Sequence, residues 1–195
     1  MILADDAVLM SSRMHGSEES LAALGCQRAR RLDRPRVLIG GLGMGFTLRA
    51  TLDLLPPGAS VVVAELSPAV VEWNRGPLGP LAGHPLHDKR VHVEMGDVAV
   101  MLRSNHDRFD AVLLDVDNGP TDLASTVNEA LYGIRGIAAA RAALQPRGVL
   151  AVWAVKNDAK FEERLRGAGF DARAERVRVR ANTRARHIIF LGFKL

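Results

Sequence analysis

From Arg36 onward, apolar runs of four to six residues alternate with stretches whose apolar positions recur at helical spacing. That alternation predicts parallel strands joined by crossover helices, because strands covered on both faces read as continuous hydrophobic runs. The strands fall at 36–40, 60–65, 91–94, 110–115, 148–155, 174–180 and 186–193. Helices are expected from Phe46 to Leu55, from Pro68 through Val70, Val71 and Trp73, from Glu129 to Leu144, and from Asp158 to Arg166. Pro56-Pro57-Gly58 stops the first of them, and Pro68 suits the opening turn of the second. Between Gly76 and His87, three prolines and three glycines read as a loop. The last two strands are joined only by the polar Ala181-Asn182-Thr183-Arg184, too short for a crossover, so they form an antiparallel hairpin. Ahead of all this, Ile2 to Met10 reads as a strand or hairpin. Gly16 to Arg31 reads as a helix with Leu21, Leu24 and Ala29 on its apolar side, Ser17 as its cap, and Glu18 and Glu19 in its first turn. The expected fold is therefore a Rossmann-like, doubly wound, seven-stranded and mostly parallel sheet ending in an antiparallel hairpin. A short hairpin and helix segment at 1–35 precedes it, with the main α/β domain at 36–195.

Composition narrows the class. At 195 residues, 48% apolar and 25% charged, the chain is long enough for one α/β domain. It contains no run of eighteen apolar residues, and Asp5 and Asp6 sit close to Met1 where a signal peptide would be basic and apolar, so a cytoplasmic protein without a membrane span is expected. The single Cys26 excludes an intrachain disulfide and fits a small core position. A net charge of +4 raises the question of nucleic acid. However, 22 of the 26 basic residues are Arg, as a GC-rich genome would produce without functional cause. The one cluster, Arg173, Arg176, Arg178, Arg180, Arg184 and Arg186, places Arg176, Arg178 and Arg180 on one face of a strand. A charged edge strand explains it, with an anionic substrate or partner as the alternative. No nucleic-acid partner is expected.

Chemistry gathers where strands end. In an open parallel sheet, ligands bind beyond the carboxyl ends of the strands, where strand order reverses. After the first of these strands comes Gly41-Leu42-Gly43-Met44-Gly45, three glycines that allow a sharp turn and close backbone approach to a ligand. About twenty residues later Val61-Val62-Val63-Ala64 ends in Glu65, placed to meet the two hydroxyls of a ribose. Gly96-Asp97 follows the third strand and Asp115-Val116-Asp117-Asn118 the fourth. A dinucleotide fingerprint would want a glycine where Phe46 stands, so the pyrophosphate reading weakens. No His pair sits at metal-ligand spacing beside a carboxylate, so no metal is expected, and neither a Gly-x-Ser-x-Gly elbow nor a lysine-bearing phosphate loop occurs.

Those acidic strand ends and the tight glycine spacing resemble the class I S-adenosylmethionine-dependent methyltransferases. The resemblance implies that Gly41, Gly43, Met44 and Gly45 contact the amino-acid part of the cofactor, that Glu65, with Leu66 beside it, binds the ribose, and that Asp97, with Val98, meets the adenine. Val37-Leu38-Ile39 through Gly45-Phe46-Thr47-Leu48-Arg49, Phe109-Asp110-Ala111-Val112-Leu113-Leu114-Asp115, and Leu144-Gln145-Pro146-Arg147-Gly148-Val149-Leu150 look more narrowly like the spermidine synthase group of polyamine aminopropyltransferases. In that group an Asp at the position of Asp115 takes a proton from the attacking amine. Asp115 is accordingly the leading catalytic candidate, also beside the cofactor, with Asp117 as helper or rival; an Asp capping the turn is the structural alternative.

The departures matter as much. Where the synthases carry an Asp inside the glycine turn to recognise the amine end of decarboxylated S-adenosylmethionine, this chain has Met44. A carboxylate there would repel the carboxylate of ordinary S-adenosylmethionine, whereas a thioether does not. Neutral Asn118 matches a later acidic residue of the synthase loop, and the Gln and Tyr of the polyamine pocket fall on Met10 and Ser17. The resemblance to the synthases implies that Ser17, Glu18 and Glu19 face the acceptor, with Asn118 and Trp153 as further candidates for its pocket, although helix capping explains the two glutamates equally well. The reading is a transferase using S-adenosylmethionine or its decarboxylated form on a small-molecule acceptor, methyl transfer ahead of aminopropyl transfer, with a non-catalytic cofactor-binding protein as the third alternative. A second copy, making a homodimer, is a candidate to cover the surface that the synthases' amino-terminal domain occupies.

Overall fold

The computed structural model describes residues 2–4, 7–10, 15–116, 119–120, 126–179 and 185–195. A two-stranded antiparallel ribbon, β1 (Ile2–Ala4) and β2 (Ala7–Met10), comes first, followed by α1 (Gly16–Gly25). The main sheet then builds from β3 (Arg36–Gly40), α2 (Phe46–Leu54), β4 (Ser60–Glu65), α3 (Pro68–Arg75), β5 (Val91–Met95), α4 (Val98–Arg103) and β6 (Phe109–Leu114). It continues through α5 (Thr126–Tyr132), α6 (Ile134–Ala143), β7 (Leu144–Ala154), α7 (Ala159–Gly167), β8 (Phe170–Arg178) and β9 (Arg186–Lys194). Strand order is β5-β4-β3-β6-β7-β9-β8: five parallel strands, then β9 antiparallel to both β7 and β8. The expected seven-stranded, mostly parallel sheet with its terminal antiparallel hairpin is the architecture observed. Among the described residues no helix is long and apolar enough to cross a membrane.

Successive strand residues point to opposite faces, and that period of two divides the core in half. Leu38, Val62, Val112 and Leu150 face one way, against α4, α6 and α7. Val37, Ile39, Val61, Val63, Ala111, Leu113, Val149 and Ala151 face the other, against α1, α2 and α3. Gly25, in the last turn of α1, lets that helix lie directly on Leu113 and Ala151, since an added Cβ would collide with both. Cys26 beside it is fully buried, and desolvation pushes its thiol up to about 12.

Several boundaries differ from the pattern's expectation for identifiable reasons. The helix expected over Gly16–Arg31 stops at Gly25, with a single 3-10 turn at Ala29–Arg31. Ser17 does not cap it: the helix begins at Gly16, whose N–H donates to Val179 O at 3.0 Å, and Ser17 lies inside the first turn. The Ala-rich helix of Glu129–Leu144 is two helices broken at Gly133, which takes an extended conformation there. Leu144 already pairs with Phe109, and the chain bulges through Pro146 and Arg147, the latter at φ 66°, before Val149 rejoins Ala111. Periodicity cannot see such a bulge, because proline and glycine inside it read as an end. The Gly76–His87 loop contains two 3-10 turns, Gly79–Ala82 and Pro85–His87. Arg176 and Arg178 are exposed on β8, the edge strand; the expected connection Ala181–Arg184 lies outside the described residues.

Phe161 is fully buried and meets Tyr132 and Phe190 edge-on, at 5.8 and 5.0 Å between ring centroids. Truncating it leaves a cavity three elements share, so Phe161→Ala is expected to lower unfolding free energy by about 3–5 kcal/mol, read from urea denaturation.

Candidate functional site

Two strands flank the point where order reverses, β3 and β6, and the segments leaving their carboxyl ends almost touch. Gly41, Gly43 and Gly45 have φ of +88°, +52° and +83°, a region open to glycine and strained for other residues. At Gly41 space is the stricter limit, because a Cβ would stand 2.4 Å from the Asp115 carbonyl oxygen. Glu65 holds the turn from the side: its Oε2 accepts from the Leu42 N–H at 2.9 Å and its Oε1 from the Ser67 N–H at 2.8 Å. Asn74, 1% exposed on α3, braces it from beneath by donating to Gly43 O at 2.8 Å and to Val70 O at 2.9 Å. Sequence reasoning missed Asn74, although an amide on the helix that follows an acidic strand end was the available signal. Met44 is buried in the turn, 4% exposed.

Along the same edge, Leu66 is 72% and Met95 51% exposed, two large apolar side chains beside the strand ends. Asp97 caps α4 by accepting from the Ala99 N–H at 2.7 Å, and Val98 packs where a Cβ on Gly40 would fall. Glu65, Leu66, Asp97 and Val98 thus share one rim with the glycine turn.

Asp115 sits on the other side of that turn. Its backbone N–H donates to Gly40 O at 2.9 Å, and its Oδ2 accepts from Thr47 Oγ1 at 2.5 Å. Burial pushes its carboxyl up to about 7; the Thr47 hydroxyl opposes the rise and the charge of Glu18 adds to it. Thr47, in the first turn of α2, is a second residue the sequence reading passed over.

Glu18 reaches this neighbourhood because the start of α1 overlooks the carboxyl edge. Burial raises its pKa, against the bond that Ser17 Oγ donates to its Oε2 at 2.6 Å. Ser17 is 1% exposed and also lies 3.0 Å from Nδ1 of His187. The imidazole, kept below its ordinary pKa by burial, meets Trp153 edge-on at 4.6 Å. His187 was not legible as a site residue, since only the antiparallel register of β9, with Ile188 opposite Ala154, brings it to this edge. Glu19 is exposed and paired with His15 at 2.8 Å, while the His15 ring stacks on Phe46 at 4.4 Å. The structure therefore brings Ser17, Glu18, Trp153 and Asp115 together at the carboxyl edge of the sheet and turns Glu19 to its margin. Asp117 and Asn118 lie outside the described residues.

No protein-family model matches the chain. A polyamine aminopropyltransferase of Mycobacterium tuberculosis (strain ATCC 25618 / H37Rv) is 34% identical over 122 residues, 60% of this chain and 22% of that protein. The chain thus spans about a fifth of the length of the curated relatives it matches. Among solved structures, the spermidine synthase of Thermotoga maritima superposes with a TM-score of 0.77 at 20% identity, covering 97% of this chain and 64% of that one. Human methyltransferase-like protein 13 in complex with SAH gives 0.68 at 21%, covering 92% and 82%. Its sheet order and these likenesses show that the chain has the fold shared by class I methyltransferases and spermidine synthases.

Proposed function

We propose that this protein is an S-adenosylmethionine-dependent transferase that methylates a small-molecule nucleophile. The observation that carries the reading is the convergence of the glycine cradle, Glu65 and Asp115 on the reversal point of the sheet. The residues present fit a nucleoside sulfonium. Gly41 and Gly45 hold a turn so tight that an added Cβ would press on the Asp115 carbonyl or on Asn74 and Pro85, which keeps its backbone bare of side chains. Glu65 keeps lone pairs for ribose hydroxyls after taking two backbone N–H bonds, and Leu66 and Met95 offer apolar surface to adenine while Asp97 accepts from its amine. Bound there, the cofactor supplies a carbon already activated by positively charged sulfur. The chain itself must chiefly hold the acceptor in line and receive its proton. Asp115 suits the second task, since a base works best with a pKa near the operating pH, and Thr47 fixes its orientation. A cytoplasmic setting, where unpaired Cys26 stays reduced, belongs to the same reading.

Aminopropyl transfer from decarboxylated S-adenosylmethionine to a polyamine is the second reading. The aminopropyltransferase relative favours it, and so does Glu18 near Asp115, two carboxyls for an ammonium. Met44 argues for the first, because nothing acidic in the turn selects against the ordinary cofactor's carboxylate.

Calorimetry is expected to show wild-type protein binding S-adenosylmethionine at least as tightly as the decarboxylated form. Met44→Asp is expected to shift the ratio toward the decarboxylated form by about tenfold or more, roughly 1.4 kcal/mol of added repulsion. A strong wild-type preference for the decarboxylated form would instead support aminopropyl transfer.

A sulfonium beside Asp115 stabilises its charged form. Binding of S-adenosylmethionine near pH 7 is therefore expected to release more protons than binding of neutral-sulfur S-adenosylhomocysteine, measured in buffers of different ionisation enthalpy, and Asp115→Asn is expected to abolish the difference.

Without cofactor, a carboxyl raised from 3.8 to about 7 contributes stability that is fully present below its unfolded pKa and is lost as pH rises through about 7. Asp115→Asn is accordingly expected to melt higher than wild type at pH 8 and to flatten the decline in melting temperature between pH 4 and 7.

A further inference from the structure

We propose that His187 is a positioning residue for the acceptor end of the site, acting through Ser17 to hold the Glu18 carboxyl toward Asp115. The inference rests on the reading of Asp115 as the acceptor-facing carboxyl and extends it to a strand that the cofactor cradle does not involve.

Hydrogen-bond direction supplies the first argument. Ser17 Oγ has one proton, and the 2.6 Å contact gives it to Glu18 Oε2. His187, kept neutral by burial, must then carry its proton on Nδ1 and donate it to Ser17 Oγ at 3.0 Å. Its ring is fixed by the edge-on contact with Trp153, at 4.6 Å and 76°. Each member of the chain is thereby set by the one before it, from the sheet outward: Trp153 orients His187, His187 orients Ser17, and Ser17 holds Glu18.

Burial supplies the second. Ser17 is 1% exposed, so its hydroxyl has no water to fall back on if either partner is lost. The ionisable groups acting on Glu18 are His15 and Glu19 from α1, and Glu18 in turn acts on Asp115 at the end of β6; His187 from β9 reaches Glu18 through Ser17. His15 and Glu19 pair with each other at the exposed margin, which leaves Glu18 as the member of the first turn that acts on Asp115. An acceptor lying between the two carboxyls would present an N–H or O–H donor to each.

The test uses the full-length protein without ligands and follows the side-chain carboxyl carbons of Asp115 and Glu18 by NMR across pH. Glu18→Gln removes the neighbouring charge and is expected to move the Asp115 midpoint down by about half a pH unit or more. His187→Phe keeps a ring against Trp153 but loses the Nδ1 donor, so Glu18 is released and the Asp115 midpoint falls likewise. Ser17→Ala cuts the same chain from the other side should His187→Phe not fold. His187→Asn, whose amide can replace the lost donor, is expected to return the midpoint to the wild-type value, which a purely structural role would not require. An Asp115 midpoint unmoved by Glu18→Gln, or moved by it but not by His187→Phe or Ser17→Ala, overturns the proposal, and so does failure of His187→Asn to restore it. Calorimetry of the wild type with S-adenosylmethionine, run alongside, judges the cofactor reading on its own: absence of binding there defeats that reading whatever the carboxyls do.

Discussion

The approach of two strand ends governs this molecule. Gly41 leaves β3 against the carbonyl of Asp115, which leaves β6, and the gap between them is too small for a single added methyl group. The glycine turn is therefore narrow because the fourth parallel strand presses on it, and Asp115 projects where it does because its own N–H is tied back to Gly40. Cradle and candidate base are one construction. Replacing the glycine would push apart the turn after β3 and the strand end that carries Asp115.

Around that contact, polar groups work twice. Glu65 spends an oxygen on each of two backbone donors and so shapes the turn. Asp97 stabilises the start of α4 with the same carboxylate that faces the rim. Asn74 carries no chemistry of its own but fixes the carbonyl of Gly43 from the helix beneath. A candidate site assembled this way is held in shape by bonds already made within the protein, which lowers the ordering cost of binding any ligand.

The parallel part of the architecture was legible because strands buried on both faces must be apolar throughout. β3 and β4 fall at the predicted residues, and the strand-end acids followed directly from them. The bulge at Gln145–Gly148 and the break at Gly133 were hidden, since both are decided by what the backbone meets in space. The acceptor end was the least readable. Glu18 and Glu19 look alike in sequence, and only the tilt of α1 across the sheet edge separates a half-buried carboxyl from an exposed one. His187 gave no signal at all, because its place depends on the register of its own strand, β9, against β7, which is far from it in the chain.

The bond between Ser17 and His187 joins residues 170 positions apart. The glycine turn, Glu65, Asp97 and Asp115 all lie between Gly41 and Asp115, so that half can be shaped while the remainder of the polypeptide is still being synthesised. The opposite half waits for the final strand to emerge from the ribosome and dock. Closing so long a loop carries an entropic penalty that local contacts do not repay until the hairpin is in place. A nascent chain would accordingly form its glycine-turn half first and the Ser17–His187 contact last.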